Sequence, residues 1–436
     1  MIPTPRFAWL VALGVPALLF GILQPAWLPW VLVLDLLLVV AAAWDALAAL
    51  PASRLRVRRT VPPRWVQGRP ESVRIAIDNE GAGTGRLLVR DLPPPAFHAP
   101  MHRLDTVLAP GMTVEMSYEA TPAERGEHHF GNMAVRSMGP LGLVARQTVL
   151  PTEEAVRVYP DLIAMGNQET ILGAAVSRQL GRRQDRMRGE GREFHQLRDY
   201  VPGDDIRSLD WKKFAHRGRL TVREYRAEKN QRILMLVDGG RMMTTRIAGR
   251  LRFDWAVQAA GRLARSALSM GDQVGVTVFA RSIKATLPLA RTRGQLGRLS
   301  DMLSEVTPDL SEPDLGAALG HVLKRNPRRT LVVLFTELAD PRAAENAVKY
   351  IGSLSRRHLG LVVTLTDTDL ENERNRPVRE IDDVYRRVAA DELWTEFRTT
   401  TRTLRARGAH VVAARADALA GETVQRYLEI KQRGLL

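Results

Sequence analysis

The sequence has no cysteine among its 436 residues, which excludes disulfides, thiolate metal sites and thiol nucleophiles. It has little lysine, seven of its 63 basic residues. The net charge of +15 is thus carried by arginine and reads as composition, because no nucleic-acid-binding motif accompanies it. No Gly-x-x-x-x-Gly-Lys-Ser/Thr run occurs, so no P-loop cradles a nucleotide. Gly-x-Ser-x-Gly and His-Glu-x-x-His are also missing, which removes the nucleophile elbow and the zinc-protease helix. There are no internal repeats and no low-complexity tract. What is present is the balance of a folded protein, 45% hydrophobic and 25% charged, in a chain long enough for two or three domains.

Two apolar runs open the chain. Residues 7–23 carry no charge, Gln24 and Pro25 break the run, and residues 26–50 follow with Asp35 and Asp45 as the interruptions. Each run reaches or nears the length that crosses a hydrocarbon core of about 30 Å, and the short break predicts a transmembrane helical hairpin over 1–54. Trp9, Trp27, Trp30 and Trp44 lie toward the expected interfaces. Arg6 precedes the first run, and Arg54, Arg56, Arg58 and Arg59 follow the second. Such basic flanks stay inside, so the soluble part is expected to face the cytoplasm. A cleaved signal peptide is the weaker alternative, because a second apolar run follows in place of a small-residue cleavage site. Asp35 is expected near the interface or against the neighbouring helix.

Residues 55–150 alternate apolar and polar at 72–77, 86–90 and 113–118, with turn signals such as Asp78-Asn79-Glu80-Gly81 between them. Short strands so spaced predict a small β-sandwich. His128 and His129 are adjacent on one predicted strand, so they point to opposite faces and make a poor metal pair. A connector of mixed charge covers 151–230 and includes an arginine cluster at Arg182, Arg183, Arg186 and Arg188. From 231 to 436 strands and helices alternate. Strands are expected at 233–238, 273–280, 284–290 (an edge), 330–337, 359–366 and 410–414. Helices are expected at 251–269, 294–306, 314–326, 341–357, 390–407 and 420–432. That order predicts a doubly wound, mostly parallel α/β sheet.

Open parallel sheets bind ligands beyond the carboxyl ends of their strands. Asp238, Thr336, Glu337, Asp367 and Asp369 all fall at such ends. Asp238, Thr336 and Glu337 offer the hard oxygens that Mg²⁺ prefers and form the candidate metal site. Asp367-Thr368-Asp369-Leu370-Glu371 has the acids of a calcium loop without its glycine. The α/β segment resembles a von Willebrand factor A domain. That resemblance implies a metal-ion-dependent adhesion site made by a strand ending in Asp-x-Ser-x-Ser, a threonine from a later loop and a further aspartate. Asp238 matches the first aspartate. Gly240 and Met242 stand where the serines belong, Pro313 lies near the threonine position, and Thr336-Glu337 replaces Ser-Asp. The expectation is a degenerate site that holds Mg²⁺ weakly at most, and no other cofactor.

The stretch Leu197-Arg198-Asp199-Tyr200-Val201-Pro202-Gly203-Asp204-Asp205-Ile206-Arg207-Ser208-Leu209-Asp210-Trp211, continued by Val222-Arg223-Glu224, is similar to the signature of a bacterial family called domain of unknown function 58. Glu124-Arg125-Gly126 and Gly139-Pro140-Leu141-Gly142-Leu143 resemble that family's β-domain motifs, with Gly139 where an Asp is usual. The resemblance covers nearly the whole chain. It implies a bacterial cell-membrane protein and a MoxR-type AAA+ ATPase as partner, since members are often encoded beside one. Read from the residues, Asp204, Asp205 and Asp210 alternate with Arg198, Arg207, Lys212, Lys213 and Arg217 in a paired network, with Trp211 as its apolar anchor. The alternative is that this stretch forms a partner-binding surface. Asp204 and Asp205 are adjacent, and no nucleophile lies nearby, so a catalytic dyad is not expected. The resulting expectation is a membrane-anchored, non-enzymatic scaffold. A metal-assisted hydrolase using Asp238, Thr336 and Glu337 is the alternative.

Overall fold

The structure, a computed structural model, describes residues 1–24, 26–100, 103–162, 193–201, 204, 209–226, 230–338, 341–354 and 357–435. The chain divides into two units, Met1–Tyr159 and Pro160–Leu436.

The first unit opens with helices Pro5–Leu23 and Leu28–Ala48, each with proline in its first turn. There the missing N–H costs no hydrogen bond. Large apolar side chains such as Trp9, Leu13, Leu36 and Leu47 are exposed on them. Among the described residues one helical stretch, Leu28–Arg54, is long and apolar enough to cross a membrane, and the first helix is shorter. The helices approach where Gly14 faces Asp35: a Cβ on Gly14 would lie 3.3 Å from Asp35 Oδ1. Asp35 therefore meets the neighbouring helix, as expected.

Strands after residue 54 enclose one apolar core. A five-stranded sheet orders Ile2–Pro3, Val144–Leu150, Met133–Met138, Gly85–Arg90 and Arg103–Leu108. A four-stranded sheet orders Leu55–Thr60, Glu71–Asn79, Thr113–Pro122 and Phe97–His98. A smaller one joins Trp65–Val66, Glu154–Tyr159 and Gly126–Phe130. Alternation along Glu71–Asn79 buries Val73, Ile75 and Ile77, because successive side chains leave a strand on opposite faces. Trp65 sits at the centre, 5.0 Å from the Phe97 ring and 5.8 Å from Phe130. Strand Glu154–Tyr159 belongs to this unit, so the connector expected from 151 begins later.

Arg59, one of the arginines that follow the second apolar run, is buried. It forms a buried ion pair with Asp91, whose other oxygen accepts the Tyr118 hydroxyl at 2.6 Å. The loop Gly139–Leu143, singled out only as a family motif, holds the ends of both N-terminal helices. Thr4 Oγ1 donates to the Gly142 carbonyl at 2.6 Å, and the buried Asp45 carboxylate accepts the N–H groups of Leu141 and Leu143 at 2.7 Å and of Val144 at 2.9 Å. His128 leans on the Phe97 ring, 5.5 Å away, while the exposed His129 lies beside Glu127.

In the second unit a six-stranded sheet runs in the order Ile283–Ala290, Gln273–Phe279, Arg232–Asp238, Leu331–Phe335, Leu359–Leu365, His410–Ala414. Counted along the chain this is 3-2-1-4-5-6, parallel except for the antiparallel edge Ile283–Ala290. Leu331–Phe335 is apolar and buried at every residue, as a strand covered on both faces must be. Helices Arg252–Ser269, Gln295–Glu305 and Leu419–Gln432 contribute to one core cluster, and Leu315–Arg325, Pro341–Leu354 and Ile381–Ala406 to the other. The helix expected at 390 starts at Ile381, and its added turns expose Ile381, Val384, Tyr385 and Val388. The acids of the calcium-like stretch head an unexpected helix, Thr368–Asn375, capped by Asp367.

Before the sheet, strands Glu193–Asp199 and Thr221–Arg226 pair antiparallel, with helix Trp211–Arg217 between them. Arg198 faces Val222 and Arg223 faces Leu197 in this register, and Glu224 faces Gln196. Gly203, Asp205 and Arg207, and the cluster Arg182, Arg183, Arg186 and Arg188, lie outside the described residues.

Candidate functional site

The carboxyl edge of the parallel sheet gathers Asp238, Thr336 and Glu337 from adjacent strand ends, as their positions predict. Asp238 and Thr336 meet directly: the Thr336 hydroxyl donates to Asp238 Oδ2 at 2.7 Å, and the Gly240 N–H donates to Oδ1 at 2.8 Å. Glu337 turns elsewhere. Its Oε1 accepts the Leu338 N–H at 2.9 Å, and its Oε2 pairs with Arg252 Nη1. Arg252 Nη2 reaches on to Asp367 Oδ2 at 2.7 Å. Asp238, Glu337 and Arg252 are all buried. Burial pushes the Arg252 guanidinium down from its ordinary value, and Asp367 pulls it back up.

Arg252 is the residue of this edge that periodicity did not find. A signal was available. The residue heads helix Arg252–Ser269, where the macrodipole disfavours a cation. An arginine in that position calls for carboxylates close by.

The loop after helix Gln295–Glu305 closes over the edge. Lys284 and the Ser311 hydroxyl hold the Asp309 carboxyl down at about 2, below the usual carboxylate range. With the loop so fixed, the Ser311 carbonyl accepts the Arg241 N–H at 2.9 Å. A Cβ on Gly240 would lie 2.8 Å from both the Ser311 carbonyl oxygen and Pro313 Cδ. The first serine position of the adhesion-site pattern is thus filled by the loop as well as lacking its hydroxyl. A small cavity lined by Asp238, Met242, Phe279, Pro313 and Thr336 remains beside it. Among the described residues no three acidic, His or Cys side chains are grouped as a metal centre would need.

In the connector two acids accept backbone N–H groups. Asp210 caps helix Trp211–Arg217 through the Lys213 N–H at 3.1 Å, and Asp204 Oδ2 accepts the Val201 N–H at 2.9 Å. Tyr200 pairs its N–H with the Leu220 carbonyl at 3.0 Å. Trp211 is not the apolar anchor expected of it. It is 58% exposed and meets Phe214, itself 39% exposed, edge to face at 6.2 Å. A seven-residue helix on a two-stranded hairpin offers no core in which to bury an indole.

A family model described as protein of unknown function DUF58 matches residues 196–415. The uncharacterized protein YeaD of Bacillus subtilis is 29% identical over 136 residues, 29% of this chain and 31% of that protein. The uncharacterized protein Rv1480 of Mycobacterium tuberculosis is 24% identical over 266 residues, 57% of this chain and 82% of that protein. The chain thus aligns with about a third of the Bacillus relative and most of the mycobacterial one. Among solved structures, the ASH/PapD-like domain of human CEP192 aligns with 24% of the chain at 13% identity and a TM-score of 0.20, too slight a likeness to argue from.

Proposed function

The chain belongs to the DUF58 family, and from that membership we propose that it is a membrane-anchored, non-enzymatic scaffold that binds a protein partner. The observation that carries this reading is the exposed pair Trp211 and Phe214, inside the family-matched region. Trp, Tyr and Phe are enriched in the cores of protein interfaces, and Trp and Tyr among the residues that carry binding energy. The Asp210 cap fixes the backbone that presents them, so little ordering remains to be done on binding. Exposed Val201 and Leu220 lie on the same hairpin.

The strand order with its antiparallel edge supports a doubly wound, von Willebrand factor A-like unit. The exposed apolar surface of Leu28–Arg54 supports anchoring in a membrane. The grip of one loop on both Thr4 and Asp45 supports a hairpin with both ends on one side. Arg6, Arg54, Arg56 and Arg58 near those ends support the cytoplasmic side of a bacterial cell membrane. A MoxR-type AAA+ ATPase is the partner class, on the family resemblance, and assembly or activation of another complex is the role. The hydrolase alternative finds less support, since Asp238 and Glu337 already bind Thr336 and Arg252.

The test is affinity capture of the detergent-solubilised chain from its own cells, beside Trp211→Ala/Phe214→Ala. Recovery of an AAA+ ATPase with wild type and its loss with the double variant is expected. Equal recovery with both, or none with either, would sink the proposed surface. Ester, phosphate or peptide hydrolysis that Asp238→Ala abolishes would restore the enzyme reading.

A further inference from the structure

We propose that the Arg252 guanidinium is the resident cation of the sheet's carboxyl edge, standing between Glu337 and Asp367 so that the edge refuses divalent metal. This goes beyond the scaffold reading and does not depend on any partner.

The first ground is the donor inventory. Asp238, Glu337 and Asp367 present six carboxylate oxygens. Asp238 Oδ1 and Oδ2 accept from Gly240 N–H and Thr336 hydroxyl. Glu337 Oε1 accepts from Leu338 N–H, and Asp367 Oδ1 from Asp369 N–H at 2.9 Å. The remaining oxygen of Glu337 and that of Asp367 both go to Arg252, through different nitrogens of one fork. A planar guanidinium serves two carboxylates at once and stays charged at any pH the protein meets.

The second ground is space. The metal pattern needs a serine hydroxyl where Gly240 stands, and the Ser311 carbonyl and Pro313 ring already occupy that direction. The adhesion-site position beside Asp238 therefore does not fit a divalent cation, and the oxygens left for one are those that Arg252 holds on Glu337 and Asp367. The third ground is cost. Arg252 is 7% exposed at the head of a helix, where burial and the macrodipole both oppose a positive charge. It stays there because Glu337 and Asp367 need a cation, and a metal would compete with it for those same oxygens.

The experiment titrates the full chain in detergent with Mg²⁺ and Mn²⁺, by calorimetry and by melting temperature. Wild type is expected to show no saturable heat at millimolar metal and no metal-dependent melting shift. Arg252→Met is expected to melt well below wild type and to recover saturably with Mn²⁺. Arg252→Lys, which keeps the charge, is expected to ignore metal. Should Arg252→Met not fold, Arg252→Gln carries the same metal test with a polar head. Saturable metal binding by wild type that Asp238→Ala abolishes overturns the proposal. So does a folded Arg252→Met or Arg252→Gln that gains no response to Mn²⁺.

Discussion

Gly139 lacks a side chain where Asp45 already fills the space: a Cβ there would lie 2.2 Å from both the backbone oxygen and Oδ1 of Asp45. An acid that interrupts an apolar run is thereby a fastening. Its buried carboxylate binds three backbone N–H groups of the loop that begins at Gly139, and the Ser137 hydroxyl bonds the Leu50 carbonyl at 2.7 Å close by.

Gly139→Ala is expected to push Asp45 off the loop, and Asp45→Ala to take the acceptor from three N–H groups, that of Leu143 buried and those of Leu141 and Val144 part-buried. A buried donor left unpaired costs about 1–3 kcal/mol and a part-buried one less, so a loss of about 1–3 kcal/mol is expected for Asp45→Ala. Melting of the detergent-solubilised chain reads both. A Gly139→Ala protein as stable as wild type would show that the two residues do not touch.

Trp211→Ala is expected to change stability by no more than about 0.5 kcal/mol, as exposed positions do. Trp65→Ala, fully buried against Phe97 and Phe130, is expected to cost about 3–5 kcal/mol. Denaturant midpoints of the two variants compare them directly. A large loss at Trp211 would mean that the indole packs against the body of the protein after all.

Gly240→Ser restores a hydroxyl of the adhesion-site pattern but drives its Cβ toward Ser311 and Pro313. Overpacking of this kind costs about 1–3 kcal/mol. The variant is expected to unfold at lower urea and to give no saturable Mg²⁺ heat. Tight Mg²⁺ binding with unchanged stability would show that the loop yields readily.

The pH dependence rests on His358 and His410. Burial lowers both below the ordinary histidine value, helped by Arg357 and Arg329 at His358 and by Arg426 and Arg433 at His410, where Glu429 opposes. A lowered folded value means that the unfolded chain takes the proton first. Stability is then full above the unfolded value of about 6.5 and falls as pH drops toward the folded values. His358→Gln is expected to flatten that fall in melting scans taken between neutral and mildly acidic pH. An unchanged slope would remove His358 as a contributor.

The parallel strands were legible because burial on both faces demands unbroken apolar runs, and Leu331–Phe335 has one. Asp238 and Thr336 were legible as neighbours because adjacent parallel strands end at one edge. At the start of helix Ile381–Ala406, Ile381, Val384, Tyr385 and Val388 keep the i, i+3, i+4, i+7 spacing of a helix, and only the fold shows that this stripe meets solvent and not a core. Trp211 misled for the same reason: size and hydrophobicity argue for burial, and only the surrounding chain supplies or withholds a core.

Local physics, written in the sequence itself, determined the order of elements, the apolar N-terminal helices and the placement of acids at strand ends. Period and propensity act over a few residues and need no partner. Tertiary structure alone decided what each charge meets. Asp45 finds a loop 98 residues away at Leu143, and Arg252 finds Asp367 115 residues on. A buried charge must be paired, yet which distant group pairs it depends on how the chain folds back, and no local pattern encodes that.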